Sequence, residues 1–147
     1  MNETIQRIFN IMPTHSLPIS FVEMLIERLI SLGYSLEGGS DDFAIGFAMQ
    51  NVENHIKNSC NTAFIPVGLY NVAVDRICGE FLYSKKQTGH LHIADLDLSG
   101  AITSITEGDV SISFDANSTD EQRFNQLINY LMTKGEGEFV CYRKLSW

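Results

Sequence analysis

Basic residues are scarce in this chain of 147 residues: Lys and Arg number 10 against 18 Asp and Glu, a formal net charge of −8. That disfavours a sequence-independent grip on nucleic-acid phosphates, which needs clustered Lys and Arg. It does not exclude DNA passing alongside, because a negative wall repels a negative polymer. Cysteine is scarce too. Cys60, Cys78 and Cys141 are too few and too scattered for a disulfide framework, and read as reduced, partly buried thiols of a cytosolic protein. No apolar run approaches the roughly 18 residues of a membrane span, and no basic start followed by an apolar run marks a signal peptide. Internal repeats and low-complexity runs are absent. So are a glycine-rich phosphate loop, a nucleophile elbow and a paired-carboxylate motif. The chain therefore reads as a non-enzyme that needs no cofactor.

What is present is ordinary globular material, 44% hydrophobic and 19% charged. The length suits one domain, which at this size buries roughly 68–70% of its unfolded surface. The centre of the pattern is 40–89. Ser40 is placed to cap a helix, with Asp41 and Asp42 at the positive end of its dipole. Ile45, Ala48, Met49, Val52 and Ile56 follow at helical spacing. A bend from Cys60 to Ile65, with Asn61 in it, leads to Pro66, read as the first residue of a second helix. Leu69, Val72, Ala73, Ile77 and Phe81 make its stripe. Lys85 and Lys86 suit the negative end of that helix, and Gly89 suits its stop. A short bend between long helices predicts an antiparallel pair.

Three further helices are expected. Residues 1–12 form a short one with Ile5, Ile8, Phe9 and Met12 on one face; alone it is marginal and must pack on something. A second begins at Ser20, whose side chain and that of Glu23 fit a capping box, with Ile19 and Met24 as its hydrophobic staple. It runs through Phe21, Leu25, Leu29 and Leu32 to Gly33, with Val22, Ile26 and Ile30 widening its apolar face. A third spans 118–134, with overlapping capping boxes Ser118–Glu121 and Thr119–Gln122 before Phe124, Leu127, Ile128 and Leu131.

Between and after these helices the period changes to two. Ile102 to Thr106 and Val110 to Phe114 flank Glu107-Gly108-Asp109, predicting a β-hairpin over 101–115. Residues 138–147 alternate as a strand, with Phe139, Cys141, Arg143, Leu145 and Trp147 on one face. Burying Trp147 would contribute about 2–3 kcal/mol, so this end is expected to dock. The expected fold class is mainly α: a single domain, a small bundle of about four to five helices with a β-hairpin and a short C-terminal strand.

Three clusters invite a chemical reading. His90 and His92 share a face of an extended segment, but Asp95 and Asp97 have the opposite parity. The three or four converging ligands of a zinc site are not assembled, and a solvated polar connection explains the four residues better. His55 and Cys60, five apart on a helix, are offset by about 140° around its axis; with no orienting third group they do not make a thiol catalyst. Glu107-Gly108-Asp109 lacks the repeated oxygen ligands of a calcium loop and is explained as a turn.

Taken in order, several segments carry a family likeness. They are Asn51-Val52-Glu53-Asn54-His55-Ile56-Lys57-Asn58-Ser59-Cys60-Asn61, then Ile65-Pro66, Lys85-Lys86-x-x-Gly89, Ser104 to Phe114, and Tyr142-Arg143-Lys144-Leu145-x-Trp147. Their order and spacing over most of 41–147 resemble the head–tail connector (adaptor) family, the small proteins beneath the portal of tailed phages and prophages.

The resemblance implies a structural virion protein and no catalysis. Its subunits form a ring, dodecameric in the particle, that binds the portal on one side and neck, stopper or tail proteins on the other. DNA passes through without sequence-specific binding, and no membrane is involved. The place implied is the virion, with host cytoplasm during assembly. A head-to-tail interface closes into a ring when its rotation permits, and unpaired β edges are suited to pairing across subunits. The expected interface is therefore Ile105, Glu107, Gly108, Asp109, Val110, Ile112 and Phe114 of the hairpin with Tyr142, Arg143, Leu145 and Trp147 of the last strand. Ser20, Glu23, Ser40, Asn61, Pro66 and Gly89 are the expected structural positions. The competing reading is a small helical regulatory or adaptor protein that holds a partner helix in a groove, also without catalysis.

Overall fold

A computed structural model describes residues 2–11, 17–34, 40–62, 65–89, 91, 96 and 119–134. The regular elements are α1 (Asn2–Ile11), α2 (Ile19–Ser31), α3 (Ser40–Cys60), a 3-10 turn (Val67–Leu69), α4 (Tyr70–Gln87) and α5 (Asp120–Thr133). All are helical, and no β-strand occurs among the described residues. This corrects the mixed class expected from the sequence: the described fold is an all-helical bundle. The hairpin at 101–115 and the strand at 138–147 lie outside the described residues. The physical reason for the overreach is that local alternation is a weak signal. A lone two-stranded hairpin is marginal and needs further strands or a helix to hold it, whereas the helices here close their core on one another.

The organising element is α4. It packs against α2, α3 and α5, and α1 bridges α2 and α3. Its residues from Val72 to Gly79 are all buried, as are Phe81, Leu82 and Lys85. Such all-round burial marks an inner helix rather than a surface one. The predicted stripes are the core: Ile45, Ala48, Met49, Val52 and Ile56 from α3, Val72, Ala73, Ile77 and Phe81 from α4, and Phe124, Leu127, Ile128 and Leu131 from α5 are all buried. Phe21 of α2 meets Tyr70 of α4 edge-to-face at 5.4 Å, and Tyr34 meets Phe81 likewise at 5.2 Å. Ile30 departs from expectation, 45% exposed on the outer edge of α2.

The helix ends follow local chemistry. Asn61 takes a left-handed φ of 52°, and the Thr62 N–H donates back to the Lys57 carbonyl at 3.0 Å. That is the six-to-one bond of a Schellman stop, so α3 ends where the bend was expected. Gly33 (φ 89°) ends α2 in the same way, with Tyr34 N–H on Leu29 O at 3.1 Å. Gly89 (φ 77°) closes the end of α4. At the start of α5, Gln122 N–H donates to Thr119 Oγ1 at 3.2 Å and Thr119 N–H to Gln122 Oε1 at 3.0 Å. This is the second of the two boxes foreseen; Glu121 of the first instead accepts from Lys86 Nζ at 3.0 Å.

Two starts differ from expectation. Pro18, not Ser20, precedes α2, and no side chain caps it. Leu17 and Val22, at the positions of a hydrophobic staple for that start, are both buried, while Ile19 and Met24 are 38% and 37% exposed. Burying Leu17 sets the entry at Pro18, two residues earlier than the Ser20–Glu23 pattern implies. Both of those residues sit exposed within the helix. Pro66 has an extended ψ of 141° and stands just outside the 3-10 turn, accepting from Leu69 N–H at 2.9 Å. It introduces the second helix without being part of it. Ser40 is the first residue of α3, and its side chain lies outside the described residues.

Buried charges tie the helices to one another. Asp41, 0% exposed, accepts from Lys85 Nζ at 2.8 Å and from the Tyr34 hydroxyl at 2.7 Å. Asp42, also buried, accepts from Arg7 Nε of α1 at 2.5 Å. Asp75 of α4 accepts from Arg28 Nε at 2.8 Å and from Lys134 Nζ. Asn51 Nδ2 donates to Glu80 Oε1 at 3.0 Å between α3 and α4.

Two substitutions test this frame. A Cβ at Gly79 would stand 2.8 Å from Leu131 Cβ and 3.0 Å from Met132 Cγ. Leu131 Cβ is anchored to the backbone, so α5 itself must move. Overpacking costs about 1–3 kcal/mol, against about 1 kcal/mol gained in helix propensity. Gly79→Ala is expected to lower the urea midpoint despite that gain. Lys85→Met strands the Asp41 carboxylate in the core and is expected to cost about 3–5 kcal/mol in the same measurement. Asp41→Asn combined with Lys85→Met is expected to recover much of that loss.

Candidate functional site

Two surface features stand out. The first is an open groove of about 560 Å³ between α2 and α4. Met24, Glu27, Arg28 and Ser31 share one face of α2 because they recur at three and four residues. They face Asn71, Val74 and Asp75 of α4, and Lys134 closes the groove beyond α5. Asp75 is buried at its base between two cations, Arg28 and Lys134, and Arg76 Nε donates to the Lys134 carbonyl at 2.7 Å. The cluster fixes the end of α5 to α2 and α4. One carboxylate held by two cations is a junction, and both of its oxygens accept from them.

The second feature is the outer face of α3. Its exposed residues are Phe43, Phe47, Gln50, Asn51, Asn54, His55 and Asn58. Phe43 is 69% and Phe47 58% exposed, one turn apart and on the side of the helix opposite Ile45, Met49 and Ile56. No Asp, Glu, Lys or Arg is among the exposed residues of this 21-residue helix. Its acids are all turned inward, Asp41 and Asp42 as described and Glu53 onto Lys57 Nζ at 2.9 Å.

The site residues expected from sequence fare unevenly. Ile105, Glu107, Gly108, Asp109, Val110, Ile112, Phe114, Tyr142, Arg143, Leu145 and Trp147 all lie outside the described residues. So do His90, His92, Asp95 and Asp97, although Leu91 and Leu96 between them pack against the core. His55 is exposed and Cys60 is buried, so that pair does not assemble. Among the described residues no group of three His, Cys, Asp or Glu is placed to hold a metal ion.

Sequence reasoning missed Phe43 and Phe47, Asp75 and the inward use of Asp41, Asp42 and Lys85. The aromatic pair had a readable signal: it falls on the opposite side of a helical wheel from the apolar stripe. The ion pairs had none, because Lys85 and Asp41 are 44 residues apart and their pairing exists only once α3 and α4 are antiparallel.

Comparison with family models, curated proteins and solved structures finds no match.

The thiols give a measurable consequence. Burial pushes the Cys78 thiol far above its ordinary value, with the Asp75 charge adding to the shift; burial also raises Cys60. The thiolate is the reactive form, and both groups are protonated at neutral pH. In a Cys141→Ser background, a thiol reagent is expected to label neither Cys60 nor Cys78 until denaturant is added. Fast labelling of the native protein would contradict the burial described.

Proposed function

We propose that this chain is a head–tail connector subunit of a tailed phage or prophage, a structural protein that assembles as a ring between the portal and the neck or tail proteins. The observation that carries this reading is the ordered series of family-like segments in the sequence. Support comes from where three of them fall: Asn51 to Asn61 is the second half of α3 with its Schellman stop, Ile65-Pro66 leads into α4, and Lys85 to Gly89 ends it. They bracket one helix pair, whose inner member α4 packs against three other helices, which suits a subunit whose work is to hold its shape against neighbours.

The chemistry is consistent with assembly. The prominent buried polar groups are spent on helix–helix ties, and the exposed face of α3 is aromatic and amide. Interface centres are likewise poor in charge and rich in aromatic residues. In this reading the partners are other copies in a ring, the portal above and neck, stopper or tail proteins below. DNA moves through the ring without base-specific contact, and the protein resides in the virion after assembly in host cytoplasm.

A second reading, a helical adaptor that holds a partner helix, draws on the α2–α4 groove, whose floor joins Met24 and Val74 to a charged rim. The two readings separate on one experiment. Mixed with the portal protein of the same genome, the chain is expected to co-sediment as a ring and to be found in purified particles. Failure to bind portal, together with absence from particles, would overturn the connector reading.

A further inference from the structure

We infer that the groove between α2 and α4 is the docking site of the chain's own segment 139–147, seated on the Met24 floor with its bases toward Glu27. The groove and the segment are joined through Lys134, which lines the groove and also caps the end of α5. Its Nζ donates to Asp75 and its carbonyl accepts from Arg76 Nε at 2.7 Å, so side chain and backbone are both tied to α4. Its φ of −59° and ψ of 135° take the chain off the helical path there. Residues 135–147 therefore start from a fixed point on the groove's edge.

Reach and charge select this occupant. Gly135-Glu136-Gly137-Glu138 precede Phe139, and an extended tether of that length spans roughly 13 Å. The part of α2 that lines the groove, Met24 to Ser31, is about 10 Å long at helical rise. The segment thus reaches the whole floor. So short a tether holds it at an effective concentration on the order of millimolar, which a separate partner must match. Phe139, Val140, Tyr142, Leu145 and Trp147 supply apolar side chains for a floor on which Met24 is 37% exposed, and methionine adapts to aromatic neighbours. Arg28 and Lys134 already hold Asp75. The further charged residue of the lining is Glu27, which is exposed, with Glu23 exposed one turn before it. For these acids the segment brings Arg143 and Lys144, the only Lys or Arg outside the described residues. The other long stretches outside them, 35–39 and 97–118, bring acids and no such base. The inference rests on neither functional reading, and it competes with the adaptor reading for the same groove.

Trp147 is the sole tryptophan of the chain, so its fluorescence reports docking. In the full wild-type chain its emission is expected to be blue-shifted, shielded from acrylamide and independent of concentration. Met24→Glu is expected to move the emission to the red and to raise quenching severalfold. Met24 is partly exposed, so helical circular dichroism should stay unchanged. Glu27→Lys is expected to give a smaller shift of the same sign, and adding Arg143→Glu and Lys144→Glu to restore the wild-type emission. A cross-link gives the second measurement. In Met24→Cys, a short bis-maleimide is expected to join position 24 to Cys141 within one chain, and Phe43→Cys on α3 to give no such link. A wild-type Trp147 open to acrylamide overturns the inference and leaves the groove to another partner. A shielded Trp147 that ignores Met24→Glu overturns it as well, because the segment then sits elsewhere. Links between two chains, or emission that shifts on dilution, place the segment in the groove of a second copy and overturn docking within the chain.

Discussion

The fold depends on neutralising charges that α4 and its neighbours carry into the core. Asp41 and Asp75 are buried carboxylates, and a buried charge without a partner costs a large share of a domain's stability. Each is met by cations from other parts of the chain, Asp41 by Lys85 across the α3–α4 seam and Asp75 by Arg28 and Lys134 from two further elements. Apolar stripes alone would let α4 rotate or slide between α2, α3 and α5. The ion pairs form only in one register, since moving α4 by a turn would strand Asp41 and Asp75 together. The close approach at Gly79 fixes the same register from the α5 side.

This arrangement redistributes charge over the molecule. The described residues hold ten acids and eight bases, and most of the bases are consumed by buried acids. The excess lies in the rest of the sequence, where Glu37, Asp95, Asp97, Glu107, Asp109, Asp115, Glu136 and Glu138 stand against only Arg143 and Lys144. The helical body is thus near neutral although the chain is acidic. The net charge of −8 says little about what the helices can touch. The uncharged face of α3 is the local expression of that difference.

The helices were legible because their signals are local. Periodicity gave the buried faces of α3, α4 and α5, and Gly33, Asn61, Gly89 and the Thr119–Gln122 box marked boundaries within a turn. Pro18 and Pro66 show the limit of such signals. In each case a motif fitted the sequence one or more positions from where tertiary burial, of Leu17 and of Leu69, set the helix start. The same limit governs charge. Asp41, Asp42, Lys85 and Lys86 sit where helix-dipole arguments favour them, yet each is also a tertiary partner, a role that local sequence does not signal. The expected β-elements rest on alternation, β-branched flanks and a Gly-centred turn, a pattern that states which residues could share a face and leaves open what would cover it.

What the bundle offers a partner follows from what it spends internally. Several of its buried polar groups are committed to ties between elements: Tyr34 to Asp41, Lys85 to Asp41 and Arg76 to the Lys134 carbonyl. Its buried thiols are held protonated. The surface keeps shape and apolar area, concentrated in Phe43 and Phe47 and in the floor of the α2–α4 groove. A molecule that invests its charges in rigidity and leaves uncharged faces outside is suited to recognition by fit, because a rigid face loses little conformational entropy on docking. Rigidity from the ion-paired α4 and uncharged contact area on α3 are therefore two sides of one design: turning the acids of α3 inward both locks the helix and clears its outer face.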